Sequence, residues 1–188
     1  MSAVFSDDRR FRYRLWRVWD ESLPMANLLM LNPSTADETK GDATVDRQCE
    51  RVKRLGYGSL FVTNAYAFKA TDPKELKRAG YPIGPENNEH IITVAKMARI
   101  VICGWGGHIQ KSRSIAVLRM LRSVAKRVPH ALSFTKSGEP GHPLYLPYEG
   151  CPPMEIIHPN FCMECGFEIA PDCGTGLCGE CACEDDSE

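Results

Sequence analysis

Residues 28–31, LLML, form an unbroken apolar run that ends abruptly at Asn32-Pro33 and continues as Ser34-Thr35-Ala36-Asp37. Four apolar residues in a row before a turn predict a buried strand, because a strand covered on both faces has no need to alternate. The Asn-Pro step turns the backbone out of the sheet. Ser, Thr and Asp beyond it either cap a helix or offer hydroxyl and carboxylate groups to a ligand. In open α/β sheets ligands bind at the carboxyl ends of the strands, so this segment is a candidate site. A capped turn without chemistry would use the same residues, and the later strand ends bear on the choice.

Residues 59–64, SLFVTN, predict a second buried strand, running into Asn64, Tyr66 and Phe68. There Asn64 offers an amide to read a ligand's hydrogen-bonding edge and Phe68 a ring for stacking, or Asn64 merely satisfies loop backbone. Residues 99–103, RIVIC, predict a third strand, followed by Gly104-Trp105-Gly106-Gly107 and a helix from 108 to about 126. Glycines between strand and helix allow a tight turn that exposes NH groups as an anion cradle, although no GxGxxG pattern or P-loop lysine is present. A short strand over 131–134 then leads through Gly138 and Gly141 to His142-Pro143-Leu144.

The intervening stretches read as helices. Val45, Cys49, Val52 and Leu55 fall on one face of a helix over 42–55, which Gly56 ends. Three X-Pro steps break residues 70–85 into a loop with one short helix at 74–78, and Asn87 or Asn88 caps a helix running to Met97. Residues 12–19 alternate as a half-exposed strand, forming a hairpin or adjacent pair with the central strand. Its Arg12, Arg14 and Arg17 either follow a nucleic-acid backbone or protect a sheet edge. The order predicts a three-layer α/β/α domain with a mostly parallel sheet over residues 1–150.

Charge divides the chain at the same place. Residues 1–150 hold all 23 lysines and arginines against 15 acids, a net of +8, whereas 151–188 hold nine acids and no base. A basic body with an acidic tail suits a polyanionic partner, a tail folded over its own basic face, or plain solvation. No segment is long and apolar enough for a membrane span and the N-terminus lacks a signal-like apolar stretch, so a cytoplasmic protein without membrane association is expected.

Several motifs together, RYRLWRVWD, LMLNPSTAD, Asp42-x-Thr44-x-x-Arg47, GYGSLFVTNAYAFKATDP, ICGWG and GHPLYL, resemble a family of bacterial and phage proteins, the domain of unknown function 1643 (DUF1643) family. Their order is also similar, more distantly, to the uracil-DNA glycosylase superfamily. Members of that superfamily have strands ending in an Asn-Pro motif, in an apolar run with Asn and in Trp-Gly, and then a late His-Pro loop. That resemblance implies a glycosylase-like fold and N-glycosidic hydrolysis on DNA or a modified base. Asn32 would position a water or steady the sugar, and His142 would donate to the departing base. Pro33, Ser34, Thr35, Asn64, Phe68 and Trp105 would bind substrate. The alternative is a non-catalytic module that binds a base or nucleic acid. The chain departs from the superfamily pattern at Ser34-Thr35, where Gly usually follows Asn-Pro, and at Leu144, where the superfamily loop usually has Ser-Pro.

Seven of the nine cysteines lie after residue 150, which in a cytosolic protein argues for metal rather than disulfides. Cys162-x-x-Cys165 and Cys178-x-x-Cys181 have the spacing of two zinc-ribbon knuckles holding one structural zinc ion. An iron-sulfur cluster is the alternative, and Cys173 or Cys183 could exchange for a ligand. Residues 151–188 are therefore expected to form a zinc-ribbon-like appendage with an acidic tail, and the ribbon to recruit a protein partner. Cys49 and Cys103 are expected in the core.

Overall fold

A computed structural model describes residues 2–34 and 43–157. The strands are β1 (Ser2–Phe5), β2 (Arg12–Val18), β3 (Met25–Met30), β4 (Ser59–Asn64), β5 (Ile100–Cys103), β6 (Pro129–Ala131) and β7 (Met154–Glu155). The α-helices are α1 (Ala43–Arg54), α2 (Pro73–Arg78), α3 (Asn87–Met97) and α4 (Lys111–Arg119). One sheet holds all seven strands in the order β1-β2-β4-β3-β5-β6-β7.

The α/β class is as expected, but the sheet is mixed rather than mostly parallel. β4-β3-β5-β6 are mutually parallel, while β1-β2, β2-β4 and β6-β7 pair antiparallel. The opening hairpin is also corrected. β2 pairs with β1 and β4, not with the central strand β3, so β1 covers its outer side and its arginines are not edge protection.

Helices cover both faces. Leu28, Met30, Leu60 and Val62 pack with Val45 and Val52 of α1. Leu29, Leu31, Val101 and Cys103 pack with Ile91 and Ala95 of α3 and Val117 and Leu118 of α4. Consecutive β3 residues feed opposite cores, which is why that strand reads as an uninterrupted apolar run. Cys103 is buried and Cys49 half-buried, both against apolar neighbours as expected.

Other boundaries moved. The last parallel strand is Pro129–Ala131 rather than 131–134, with its proline at the first position, where a missing N–H is tolerated. The helix expected over 108–126 is a 3-10 turn at Gly106–His108, then α4, then a π-helical stretch at Met120–Val124. Glu86, not an asparagine, stands at the N-cap of α3; the Asn87 side chain instead donates to the carbonyls of Asn64 (2.9 Å) and Ala65 (3.2 Å). Thr35 and the cysteines Cys162, Cys165, Cys173, Cys178, Cys181 and Cys183 lie outside the described residues.

Candidate functional site

At the carboxyl ends of β3, β4 and β5 lies a cavity of about 560 Å³ whose walls include Asn32, Ser34, Asn64, Trp105 and His142. Five of the sequence-predicted site residues therefore meet in one place, drawn from three strand ends and a late loop. Its floor is apolar, formed by Leu28, Met30, Val45 and Val62.

Asn32 is pinned. Its Nδ2 donates to the Ala70 carbonyl at 2.7 Å and to the Pro33 carbonyl at 3.1 Å, tying the end of β3 to the loop after β4. The nitrogen being committed to backbone, the carboxamide meets a ligand through its oxygen. Asn64 is the opposite case. It is fully buried, yet no hydrogen-bond donor among the described residues reaches its Oδ1. An orphaned buried acceptor costs about 1–3 kcal/mol, and this one belongs to a residue that lines the cavity.

His142 is exposed at the cavity wall and accepts the Leu144 N–H at Nδ1 (3.3 Å). That bond leaves Nδ1 without a proton and Nε2 with one, so the neutral ring is a donor. The loop carrying it is gripped by α1. Gln48 Nε2 donates to the Pro143 carbonyl (3.3 Å), and Arg47 and Arg51 both donate to the Leu146 carbonyl (3.0 and 2.9 Å). The guanidinium groups of Arg47, Arg51 and Arg54 also face the Tyr148 ring. Burial lowers the Arg51 pKa, but backbone carbonyls satisfy the group. Glycine is required where this loop meets the sheet, since a Cβ on Gly104 would stand 2.9 Å from Pro143 Cδ.

Behind the cavity wall sits Glu139, which no motif or spacing singles out. Its carboxylate accepts hydrogen bonds from Ser114 Oγ (2.6 Å), Trp105 Nε1 (2.8 Å) and Lys111 Nζ (3.2 Å), joining the end of β5, α4 and the loop that leads to His142. Burial pushes its pKa up, but these three bonds outweigh burial and hold the carboxyl below its ordinary value.

Two expected substrate contacts lie elsewhere. The Pro33 carbonyl accepts from Ala70 N and Asn32 Nδ2, and Pro33 is not on the cavity wall. Phe68 packs edge-on against Phe11, with ring centroids 6.2 Å apart, away from the wall. Nor is the glycine turn an anion cradle at Gly104 and Gly106, because their amides donate to the carbonyls of Leu29 and Pro140 (both 2.8 Å). Among the described residues no group of three or more His, Cys, Asp or Glu could hold a metal ion.

A comparison with family models matches residues 12–144 to the protein of unknown function (DUF1643) family. The chain belongs to the DUF1643 family. No curated protein and no solved structure matches it. The matched DUF1643 region begins at Arg12 and ends at Leu144, so it spans every cavity residue named above. No helix among the described residues is long and apolar enough to cross a membrane.

Proposed function

We propose that the cavity binds a nucleobase or nucleotide and hydrolyses its N-glycosidic bond, in the manner of the uracil-DNA glycosylase superfamily. The observation that carries this reading is the meeting of Asn32, Asn64 and His142 on one cavity wall, although 32 and 78 residues separate them along the chain. Cleaving an N-glycosidic bond develops positive charge on the sugar and negative charge on the base, so the site needs an aimed donor and an oriented water. His142 Nε2–H supplies the donor to the departing base. Asn32 Oδ1, its nitrogen locked, accepts from a water and orients it toward the anomeric carbon. Asn64 pairs with the base edge over an apolar floor beside Trp105.

A second reading, recognition without catalysis, is favoured by one feature: the described cavity wall carries no Asp or Glu to act as a general base. Incubation with oligonucleotides containing uracil, hypoxanthine or modified pyrimidines, followed by alkali, separates the two. Strand breaks at the target base support hydrolysis, and binding without breaks supports recognition alone. If a base is cleaved but His142→Ala leaves the rate unchanged, the role given to His142 is wrong.

We also propose one structural zinc ion on Cys162, Cys165, Cys178 and Cys181, supported by their spacing alone, and a protein partner for that segment.

A further inference from the structure

At the amino ends of β5, β6 and β7, away from the cavity, the sheet carries an apolar groove. β5 pairs with β6 from Val101 opposite Pro129, and β6 pairs with β7 through His130 opposite Glu155. The Ile156 amide donates to the Pro129 carbonyl at 2.9 Å, so this pairing runs on past Glu155. Carried one residue further, the same registers set Ile100, Val128 and Ile157 in one row across the three strands. Ile100 packs with the α1 side of the sheet, and neighbours in register share a face. The groove itself, about 280 Å³, is lined by Leu55, Tyr57, Ile100, His130 and Pro153. Leu55 is 43% exposed, Val128 42% and Ile157 67%. Apolar side chains gathered at one edge in this way mark a contact face.

Two observations name its occupant. Ile157 is the last described residue, so residues 158–188 set out from the groove itself. Phe161 follows four residues on, within about 13 Å even for an extended chain, and the intervening Pro159-Asn160 is a turn signal. The second observation is charge. Residues 158–188 hold eight acids and no lysine or arginine, whereas the chain entering the groove is basic: Arg99 precedes Ile100, and Lys126 and Arg127 precede Val128. Arg99 and Lys126 are exposed, and the acid on β7, Glu155, is paired with Arg122 at 3.5 Å.

We propose that this groove receives the chain's own segment 158–188, with Phe161 seated against Leu55, Val128 and Ile157 and the acids of the segment facing Arg99 and Lys126. The inference rests neither on the nucleobase reading nor on the zinc ion. It holds the segment at the end of the sheet opposite the cavity, where it takes no part in the cavity wall.

The test is a double-mutant cycle on the full chain, read by amide hydrogen exchange. Leu55→Ser and Phe161→Ser should each raise exchange across residues 128–131 and 154–157 by about tenfold, the factor that burial of one large apolar side chain supplies. The two changes together should add nothing further, because either one alone undoes the same contact. Exchange in β3 and β4 should stay as it is. No change in either variant, or effects that add, overturns the proposal. Should a variant fail to fold, carbodiimide cross-linking of the native protein decides, on an equal mixture of ¹⁴N- and ¹⁵N-labelled chains. The acids of the segment should join Lys96 and Lys126 of the same chain. Joining between chains assigns the groove to a second copy and overturns the proposal. So does joining to Lys69, Lys74, Lys111 or Lys136 at the opposite end of the sheet, and so does the absence of any joining.

Discussion

Replacing Glu139 with alanine should destabilise the protein and loosen the wall that carries His142. The side chain is 8% exposed, and two of its three donors, Trp105 Nε1 and Ser114 Oγ, are themselves buried. Alanine leaves both without an acceptor, at about 1–3 kcal/mol each. The third donor, Lys111, is 62% exposed, and water replaces its lost contact at little cost. The expected loss is about 2–6 kcal/mol, or roughly 4–24 °C in melting temperature for a domain of this size. Thermal and urea melts followed by circular dichroism at neutral pH measure it. The pH dependence gives a second check. A carboxyl whose folded-state pKa is depressed contributes stability that is present above the unfolded-state value of about 4.3 and is lost as pH falls through the folded-state value. The native protein should therefore lose this contribution in acid, and Glu139→Gln should show a flatter stability profile there. An alanine variant within about 0.5 kcal/mol of the native protein would refute the claim that Glu139 organises this wall, since that is the range of an ordinary surface change.

Three further outcomes are expected. Gly104→Ala should cost about 1–3 kcal/mol by overpacking against Pro143, and should shift the NMR resonances of His142 more than those of the edge strand β1. Arg51→Met should raise amide hydrogen exchange across residues 142–148, because the bonds to the Leu146 and Tyr148 carbonyls are lost, while exchange in β3 and β4 stays protected. Mass spectrometry under native conditions should find one zinc ion per chain, and replacing Cys162 and Cys165 together with serine should remove it.

What the sequence made legible depended on distance along the chain. Apolar runs located the cores of β3, β4 and β5, and helical periodicity placed α1 within a residue of each end. The pairing of β2 with β4 was not legible, because nothing local to residues 12–18 says that β4 will take the place beside β3. Asn32, Asn64, Trp105 and His142 could be found because each follows an apolar run or a turn signal at a strand's end. Phe68 looked equivalent by position, but its backbone bridge to Phe11 directs it into packing. Arg12, which also lines the cavity, was visible as a residue and not as a cavity residue, since the register shift of β2 against β1 between Arg14 and Arg12 leaves no mark on the hydrophobic pattern. Glu139 escaped because its partners lie 25 to 34 residues away and no motif links them.

The most direct measurement is a crystal structure of the full chain with 2′-deoxyuridine 5′-monophosphate. The base edge is expected within hydrogen-bond distance of Asn64, with His142 Nε2 facing the base and the glycosidic bond beside Asn32. A nucleotide bound outside this cavity, or a cavity that stays closed to it at millimolar concentration, would rule out the nucleobase site.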